Sequence, residues 1–433
     1  MRFKCLQILT AASMVAAVPG WGQVSTALED EPPPLNQVPI ATEPGMATFD
    51  TDEEHDALYA IVYGFVQTDV GYNFGRTDPN WFDVVRPSKL PAYENQFGED
   101  GETYFSVRQT RFGIKAFLPT SGGNVRGIFE WELFGVGADQ GQTTIRLRHA
   151  YGQYKRFGAG QYWSPFMDID VFPNSQEYWG PSGMAFFRNV QVRYMPLMGK
   201  NHLAIALERA GASGDGGKYD DIIRERGLTP RFPIPDLSAE YRHTGDWGYV
   251  EAAGIIRNIE WDDPVDDQYD LSGSATGWGI NISTNLHLGP GTLKGSVLYG
   301  EGIENYMNDS TSDIAVVENP GSSTRPLTGE LIPVWGMVLF YDFNWAEEWT
   351  STVGFSLISL DYDGTAARPE TYVDGRYALA NIQYHPTMTK GRVMYGVELQ
   401  YGGRKNFSDG WDYDAFRIQF SFRYKYSISL GGS

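Results

Sequence analysis

The stretch Phe416-Arg-Ile-Gln-Phe-Ser-Phe-Arg-Tyr-Lys-Tyr426 alternates between two kinds of side chain. Its even-numbered positions hold only Phe, Ile and Tyr, whereas its odd-numbered positions hold only Arg, Gln, Ser and Lys. Because successive side chains of a β-strand point to opposite faces, the stretch predicts a strand with one apolar face and one polar, cationic face. Its length matches the ~10 residues that a tilted strand needs to cross a bilayer.

The same alternation recurs at 125–133, 190–194, 278–286 and 392–401. Soluble sandwiches and barrels also alternate in this way, but their apolar faces pack against another sheet. Here the apolar positions are rich in bulky aromatic side chains along whole strands, which is typical of a surface that faces lipid. The pattern therefore predicts an all-β fold, a transmembrane antiparallel β-barrel that is apolar outside and polar inside. A soluble periplasmic β-protein is the alternative.

The composition narrows the class of protein further. Aromatic residues make up 14% of the chain, and 50 of its 433 residues are Gly, as a barrel with many turns requires. After the N-terminus, no stretch stays apolar for the ~18 residues of a membrane-spanning helix. The net charge of −20 argues against a nucleic-acid partner, because phosphates would be repelled. Acidic outer loops would instead face lipopolysaccharide that is bridged by divalent cations.

Three regions follow one another along the chain. Residues 1–22 combine Arg2 and Lys4 with an apolar core, the layout of a secretory signal peptide. The sole cysteine, Cys5, lies in this region, so the rest of the chain offers no disulfide and no thiolate metal site. Residues 23–57 are acidic and rich in Pro, and they predict a disordered N-terminal tail. Residues 58–430 consist throughout of short runs in which apolar and polar residues alternate, and they predict the transmembrane barrel domain.

Connections between these runs alternate in length. Gly289-Pro-Gly291 is a tight turn, whereas the polar segment 305–330 is long. Outer-membrane barrels have this asymmetry between their periplasmic turns and extracellular loops. At about 21–25 residues for each strand with its connection, the domain holds ~16 strands, an even number as bacterial barrels require.

An ordered set of short motifs supports the same interpretation, among them Ile145-Arg-Leu-Arg-His-Ala-Tyr151 and Gly160-Gln-Tyr-Trp-Ser-Pro-Phe-Met-Asp168. Others lie at 108–115, 235–242, 277–283, 381–386, 396–402 and 417–426. Together they resemble Gram-negative porins, in particular the DcaP-like family of trimeric outer-membrane channels. The chain departs from that family at its end, where residues follow Tyr426 although relatives usually end on an aromatic residue. A helical N-terminal segment, present in some relatives, does not fit the Pro-rich tail.

The resemblance implies a ~16-stranded homotrimer in the outer membrane of a Gram-negative bacterium, with its third loop folded into the lumen. It implies passive uptake of small carboxylic acids. The expected partners are outer-membrane lipid and lipopolysaccharide, small anionic solutes and, during biogenesis, the barrel-assembly machinery.

Several arginines are expected to line the lumen, because their parity along the strands is that of the polar face. Clustered guanidinium groups in a narrow lumen attract anions and bind carboxylates in a bidentate manner. In the alternative interpretation they only pair with Glu130 and Glu132 and brace the wall, which leaves a non-selective general diffusion porin. The candidates are Arg111, Arg126, Arg146, Arg148 and Arg193.

The segment from Asp168 to Arg188 is too long and irregular for a tight turn, and it predicts an inward constriction loop. An outward surface loop is the alternative. The charged candidates in this segment are Asp168, Asp170, Glu177 and Arg188. Arg108 is an exception to the scheme, because strict alternation places it on the apolar face. A bulge, a position at the rim or a contact within a trimer would each explain it.

Enzymatic chemistry finds little support, and neither a catalytic residue nor a cofactor is expected. The six histidines are scattered and show no metal-binding spacing such as H-E-x-x-H, so no metal site is expected. The acidic run Asp262-Asp-Pro-Val-Asp-Asp267 lacks the spacing of an EF-hand and is interpreted as a solvated loop. A barrel enzyme of the outer membrane remains as an alternative of another class.

Overall fold

The computed structural model describes residues 56–431. The expected signal peptide, 1–22, lies outside the described residues, as does all of the expected tail except residues 56 and 57. Within the described range, no helix is long and apolar enough to cross a membrane. Nearly all regular structure is β-strand.

Sixteen strands form the wall of the barrel, and two of them are interrupted. In chain order β1 to β16 are Tyr59–Asn73; Glu102–Ser106 with Arg111–Thr120; Gly123–Phe134; Thr143–Tyr154; Phe157–Trp163; Arg188–Leu197; His202–Glu208; Thr229–Arg231 with Asp236–Gly245; Gly248–Asp262; Gly273–Leu288; Gly291–Glu301; Pro333–Ala346; Trp349–Leu360; Tyr372–Tyr384; Val393–Asn406; and Asp412–Gly431.

Each strand pairs antiparallel with the next, and the last closes on the first. Tyr59 pairs with Gly431 and Asn73 with Arg417, so β1 and β16 are in register over their shared length. Closure leaves no open edge in the sheet, as a bilayer demands of any structure that spans it. The predicted closed barrel of ~16 antiparallel strands is confirmed.

The two faces of the strands differ as the alternation predicts. On β16, Phe416 and Phe420 are 59% and 52% exposed, whereas Arg417 and Arg423 between the outward residues are buried. On β3, Phe129 is 49% exposed and its neighbour Glu130 is 1% exposed. An apolar surface therefore surrounds a polar interior, which inverts the arrangement of a soluble protein.

The two ends of the barrel also differ. One end, here the turn end, has tight connections such as 121–122, 155–156 and 289–290, and both ends of the described chain lie there. The other, the loop end, has long connections. It includes helix α1, Asp220–Arg226, and a small sheet of Gly214–Asp215, Ile314–Glu318 and Leu327–Leu331. Short 3-10 turns are Pro79–Trp81, Pro87–Lys89, Gly137–Asp139, Ile169–Val171, Gly217–Tyr219, Glu304–Tyr306 and Thr387–Thr389.

A bulge explains why Arg108 departs from the alternation. Between the two segments of β2, the four residues 107–110 lie opposite only three residues of β1, 66–68. The extra residue reverses which positions along the strand, odd or even, point into the barrel. Arg108 consequently points inward, where its Nη1 lies 2.5 Å from Oδ1 of Asp83 and both side chains are buried. Neither a rim position nor a trimer contact is needed.

A second bulge, in β4, changes which of its side chains point into the lumen. Glu130 on β3 pairs with His149, but the next residue, Trp131, pairs with Leu147. Arg148 is therefore an extra residue, and both Arg148 and His149 are buried inside the barrel. Two consecutive side chains reach the lumen here, which strict alternation does not allow.

Residues after Tyr426 belong to the barrel. Ser427 to Leu430 continue β16 and pair with β1, and Ile428 and Leu430 are about half exposed on the outer face.

Candidate functional site

The third long connection, residues 164–187 and here called L3, lies inside the barrel rather than over its rim. Most of its residues are buried, although it has little regular structure of its own. Its backbone carbonyl groups accept hydrogen bonds from inward side chains of four strands. These pairs are Phe166 with Asn281 on β10, Phe172 with Lys294 on β11, Asn174 with Gln383 on β14 and Gln176 with Gln419 on β16.

The tip of L3 is fixed by one buried carboxylate. Glu398 on β15 accepts hydrogen bonds from the backbone N–H groups of Gln176 at 2.8 Å and Glu177 at 3.0 Å. The side chain of Asn381 donates to the same carboxylate at 2.8 Å. A charged acceptor holds backbone donors more tightly than a neutral one, so this contact fixes the position of the tip across the lumen.

The acids of L3 are bound by the wall. Asp168 accepts hydrogen bonds from Tyr249 at 2.7 Å, from Ser283 at 2.6 Å and from Arg242 at 2.7 Å, and Arg242 also binds Asp170. Their partner is therefore Arg242, and none of the arginines that the sequence singled out.

Burial changes the acidity of two of these groups. Burial, with the nearby Glu251 as a further cause, raises the pKa of Asp168 to about 6. Burial raises the pKa of Glu177 to about 7, although the N–H groups of Gly180 and Val85 bind its carboxylate. Both pKa values lie above those of the same groups in the unfolded chain, which are about 4. The folded state therefore loses stability as these groups ionise, between pH of about 4 and about 6 for Asp168 and between about 4 and about 7 for Glu177.

Four arginines surround two glutamates on the wall opposite the middle of L3, and we call this group the arginine cluster. Its arginines are Arg111, Arg146, Arg148 and Arg188, and its glutamates are Glu130 and Glu132. Arg148 bridges both glutamates at 2.7 Å, and Arg146 binds Glu132 through Nε at 2.8 Å. The hydroxyl of Tyr178 on L3 contacts Glu132 and Arg146, so the loop reaches this cluster directly.

The members of the arginine cluster differ in exposure. The side chains of Arg111 and Arg148 are at most 2% exposed, whereas those of Arg146 and Arg188 are 17% and 11% exposed. The latter two line a cavity of about 510 Å³ at the loop end, here the outer cavity, together with Trp179. Four guanidinium groups against two carboxylates leave a net charge of +2 beside this cavity.

One further acid lines the outer cavity. Glu304 is 3% exposed, and no other side chain donates a hydrogen bond to its carboxylate. Burial, together with the nearby Asp313, raises the pKa of Glu304 well above its usual range. This favours the neutral acid, which does not cancel the positive charge of the arginine cluster.

The comparisons with known proteins agree with this architecture. Residues 47–426 match the family model described as DcaP outer membrane protein. The chain belongs to the DcaP family. The crystal structure of the outer membrane channel DcaP of Acinetobacter baumannii is similar at a TM-score of 0.69 and 21% identity, over 86% of this chain and 99% of that one. No curated protein sequence matches.

Two more distant solved structures share the fold. The anion-selective porin from Comamonas acidovorans has a TM-score of 0.53 and 10% identity, over 85% of this chain and 100% of that one. OmpT of Vibrio cholerae has a TM-score of 0.51 and 12% identity, over 86% of this chain and 99% of that one. Its membership of the DcaP family makes this chain an outer-membrane channel of the porin type, and these two structures agree with it in fold.

The DcaP-family barrel brings only some of the expected arginines together. Arg111, Arg146 and Arg148 meet in the arginine cluster, which Arg188 joins from the start of β6. Arg193 lies apart, 3.7 Å from Glu240, and lines a cavity of about 260 Å³ at the turn end, here the inner cavity. Arg126 is buried on the inner face of β3 opposite Gln153 of β4, and lines neither cavity.

Sequence reasoning on this DcaP-family chain missed Arg242 on β8. It binds Asp168, Asp170 and Glu251, and so connects the start of L3 to the wall. The signal was present, because Leu237, Ala239 and Tyr241 alternate with polar residues and place Arg242 on the inner face.

Proposed function

We propose that this channel mediates passive uptake of small hydrophilic solutes and prefers anions, small mono- and dicarboxylates in particular. The observation that supports the proposal is the net charge of +2 on the arginine cluster beside the outer cavity. Solvent screens a charge less in a confined lumen than in bulk water, so the arginines raise the local concentration of anions. Arg146 and Arg188 are the members that a solute can reach.

The arrangement supports weak binding rather than capture. Arg111 and Arg148 are satisfied by Glu130 and Glu132, and their role is to brace the wall, as the alternative interpretation of the sequence holds. Arg146 and Arg188 also share Glu132, so each offers only part of its charge to a solute. Conduction requires binding weak enough for release, and a partly neutralised cluster meets this condition.

A general diffusion porin is the second candidate, and the inner cavity favours it. Asp168, Asp170, Glu240 and Glu251 line this cavity with only two arginines, Arg193 and Arg242. With its four carboxylates counted as ionised, the inner cavity has an excess of two negative charges, opposite in sign to that of the outer cavity. A permeating ion meets both fields, and the balance between them sets the selectivity.

Ion selectivity separates the two candidates. In a planar bilayer with a salt gradient, we expect a reversal potential that favours anions, because the arginine cluster lies where L3 narrows the lumen. A dicarboxylate such as succinate should interrupt the single-channel current briefly, since it can contact both exposed arginines. A reversal potential near zero, without such block, would instead support a general diffusion porin.

We also propose a homotrimer, embedded in outer-membrane lipid beside lipopolysaccharide and inserted by the barrel-assembly machinery. An unboiled detergent extract should migrate on a gel as a trimer, and boiling should yield an unfolded monomer, because closed barrels resist detergent until heated. The broad apolar outer face, with residues such as Phe105 at 70% exposure, supports insertion into lipid. Recovery of the chain from the soluble periplasmic fraction would contradict this prediction.

A further inference from the structure

Three potential metal ligands meet on neighbouring strands at the inner cavity. His202 on β7 and Glu251 on β9 both pair with Arg242 of β8, and Glu240 lies two residues before Arg242 on the same inner face. One nitrogen or oxygen ligand atom from each of the three lies within 4.8 Å of the others. Within residues 56–431 no second group of this kind occurs.

One of these side chains is buried with an unused acceptor. Glu251 is 1% exposed, and its Oε2 accepts a hydrogen bond from Arg242 at 2.7 Å, but its Oε1 has no hydrogen-bond partner. Nε2 of His202 lies 3.6 Å from Glu251 Oε2 and 3.9 Å from Glu240 Oε1, both longer than a hydrogen bond. A buried carboxylate oxygen without a partner is costly, and a bound cation would satisfy it.

The surrounding charge also favours a cation. Besides Glu240 and Glu251, the inner cavity is lined by Asp168 and Asp170, against only Arg193 and Arg242. With the four carboxylates counted as ionised and the imidazole as neutral, the forms that bind metals, the excess is two negative charges. One divalent ion would cancel this excess.

We propose that His202, Glu240 and Glu251 bind a divalent transition-metal ion of the zinc class at the inner cavity. An imidazole nitrogen with two carboxylate oxygens suits Zn²⁺, whereas Mg²⁺ and Ca²⁺ prefer oxygen ligands throughout. Three protein ligands leave at least one coordination position for water. Bound metal adds two positive charges to the solute path at the mouth that is otherwise acidic, and so strengthens the preference for anions.

Calorimetric titration of the full, untagged channel in detergent with ZnCl₂ tests the site. We expect saturable binding of one Zn²⁺ per chain. The variant His202→Ala should weaken the affinity by about tenfold or more, since even the loss of an outer-shell partner has an effect of this size. His243→Ala is the matched control, because His243 lies next to Arg242 on the same strand but is exposed on the outer face.

His202 is 30% exposed in its side chain, so its replacement leaves the barrel packing intact, and the mobility of the unboiled variant on a gel checks this. Glu240→Gln provides a second variant that removes a ligand charge without changing shape. No saturable Zn²⁺ binding, or equal affinity of the channel and the His202→Ala variant, would overturn the proposal. Binding of Mg²⁺ as tight as that of Zn²⁺ would overturn the assignment to the zinc class. The calorimetric titration measures metal binding directly, so its result does not depend on whether the channel prefers anions.

Discussion

The double variant Arg146→Gln and Arg188→Gln should lower the anion-to-cation permeability ratio to one or below. These two arginines are the exposed members of the arginine cluster, and their removal lowers its net charge from +2 to zero. Fixed charges in a narrow lumen change local ion concentrations by about tenfold or more, so we expect the ratio to fall by about that factor. The reversal potential in a salt gradient measures it, and block by a dicarboxylate should disappear with it.

A matched control removes the same charge elsewhere. Arg325 and Arg368 lie in loops at the loop end, with side chains 42% and 49% exposed, and neither lines the outer cavity. Arg325→Gln with Arg368→Gln should leave the permeability ratio unchanged. Arg148 is unsuitable for such a test, because it is fully buried between Glu130 and Glu132 and its loss would remove a close charged partner from both buried carboxylates at once. If the Arg146 and Arg188 variant retained its selectivity, the cluster would serve only as a brace.

Replacement of residues 174–182 in L3 by a short Gly-Ser linker should raise the single-channel conductance about twofold or more, because pore width limits conduction. The segment includes Gln176 and Glu177, whose backbone is bound by Glu398 on the far wall, and Tyr178, which contacts the arginine cluster. Its removal opens the lumen between these two walls. The strands remain intact, since L3 contributes side-chain and backbone contacts to the barrel but no strand of it.

A deletion of the exposed tip 319–324, in the outer loop between β11 and β12, is the control for the shortened L3. It removes a similar length of chain from outside the lumen, so conductance should not change. A shortened L3 that folds, as judged from gel mobility, yet conducts like the unmodified channel would show that another part of the lumen is the narrowest.

Much of the wall could be predicted from the sequence because a strand has a period of two. The alternation from Phe416 to Tyr426 indicates which side chains contact lipid and which face the lumen, and other strands alternate in the same way. Arg146 and Arg193 lie on the inner face for this reason alone. The length of the L3 segment likewise indicated a loop with a role of its own.

The sequence by itself thus determined the fold and the two faces of the wall, because these follow from local periodicity, and the resemblance of its ordered motifs implied the class of channel. Only the tertiary structure decided which charged side chains a solute in the lumen can reach. Arg108 and His149 point inward through bulges, which depend on the register between strands and cannot be inferred from the alternation. The pairing of Asp168 with Arg242 joins residues far apart in the chain, and only barrel closure, with L3 folded inside it, brings such residues into contact.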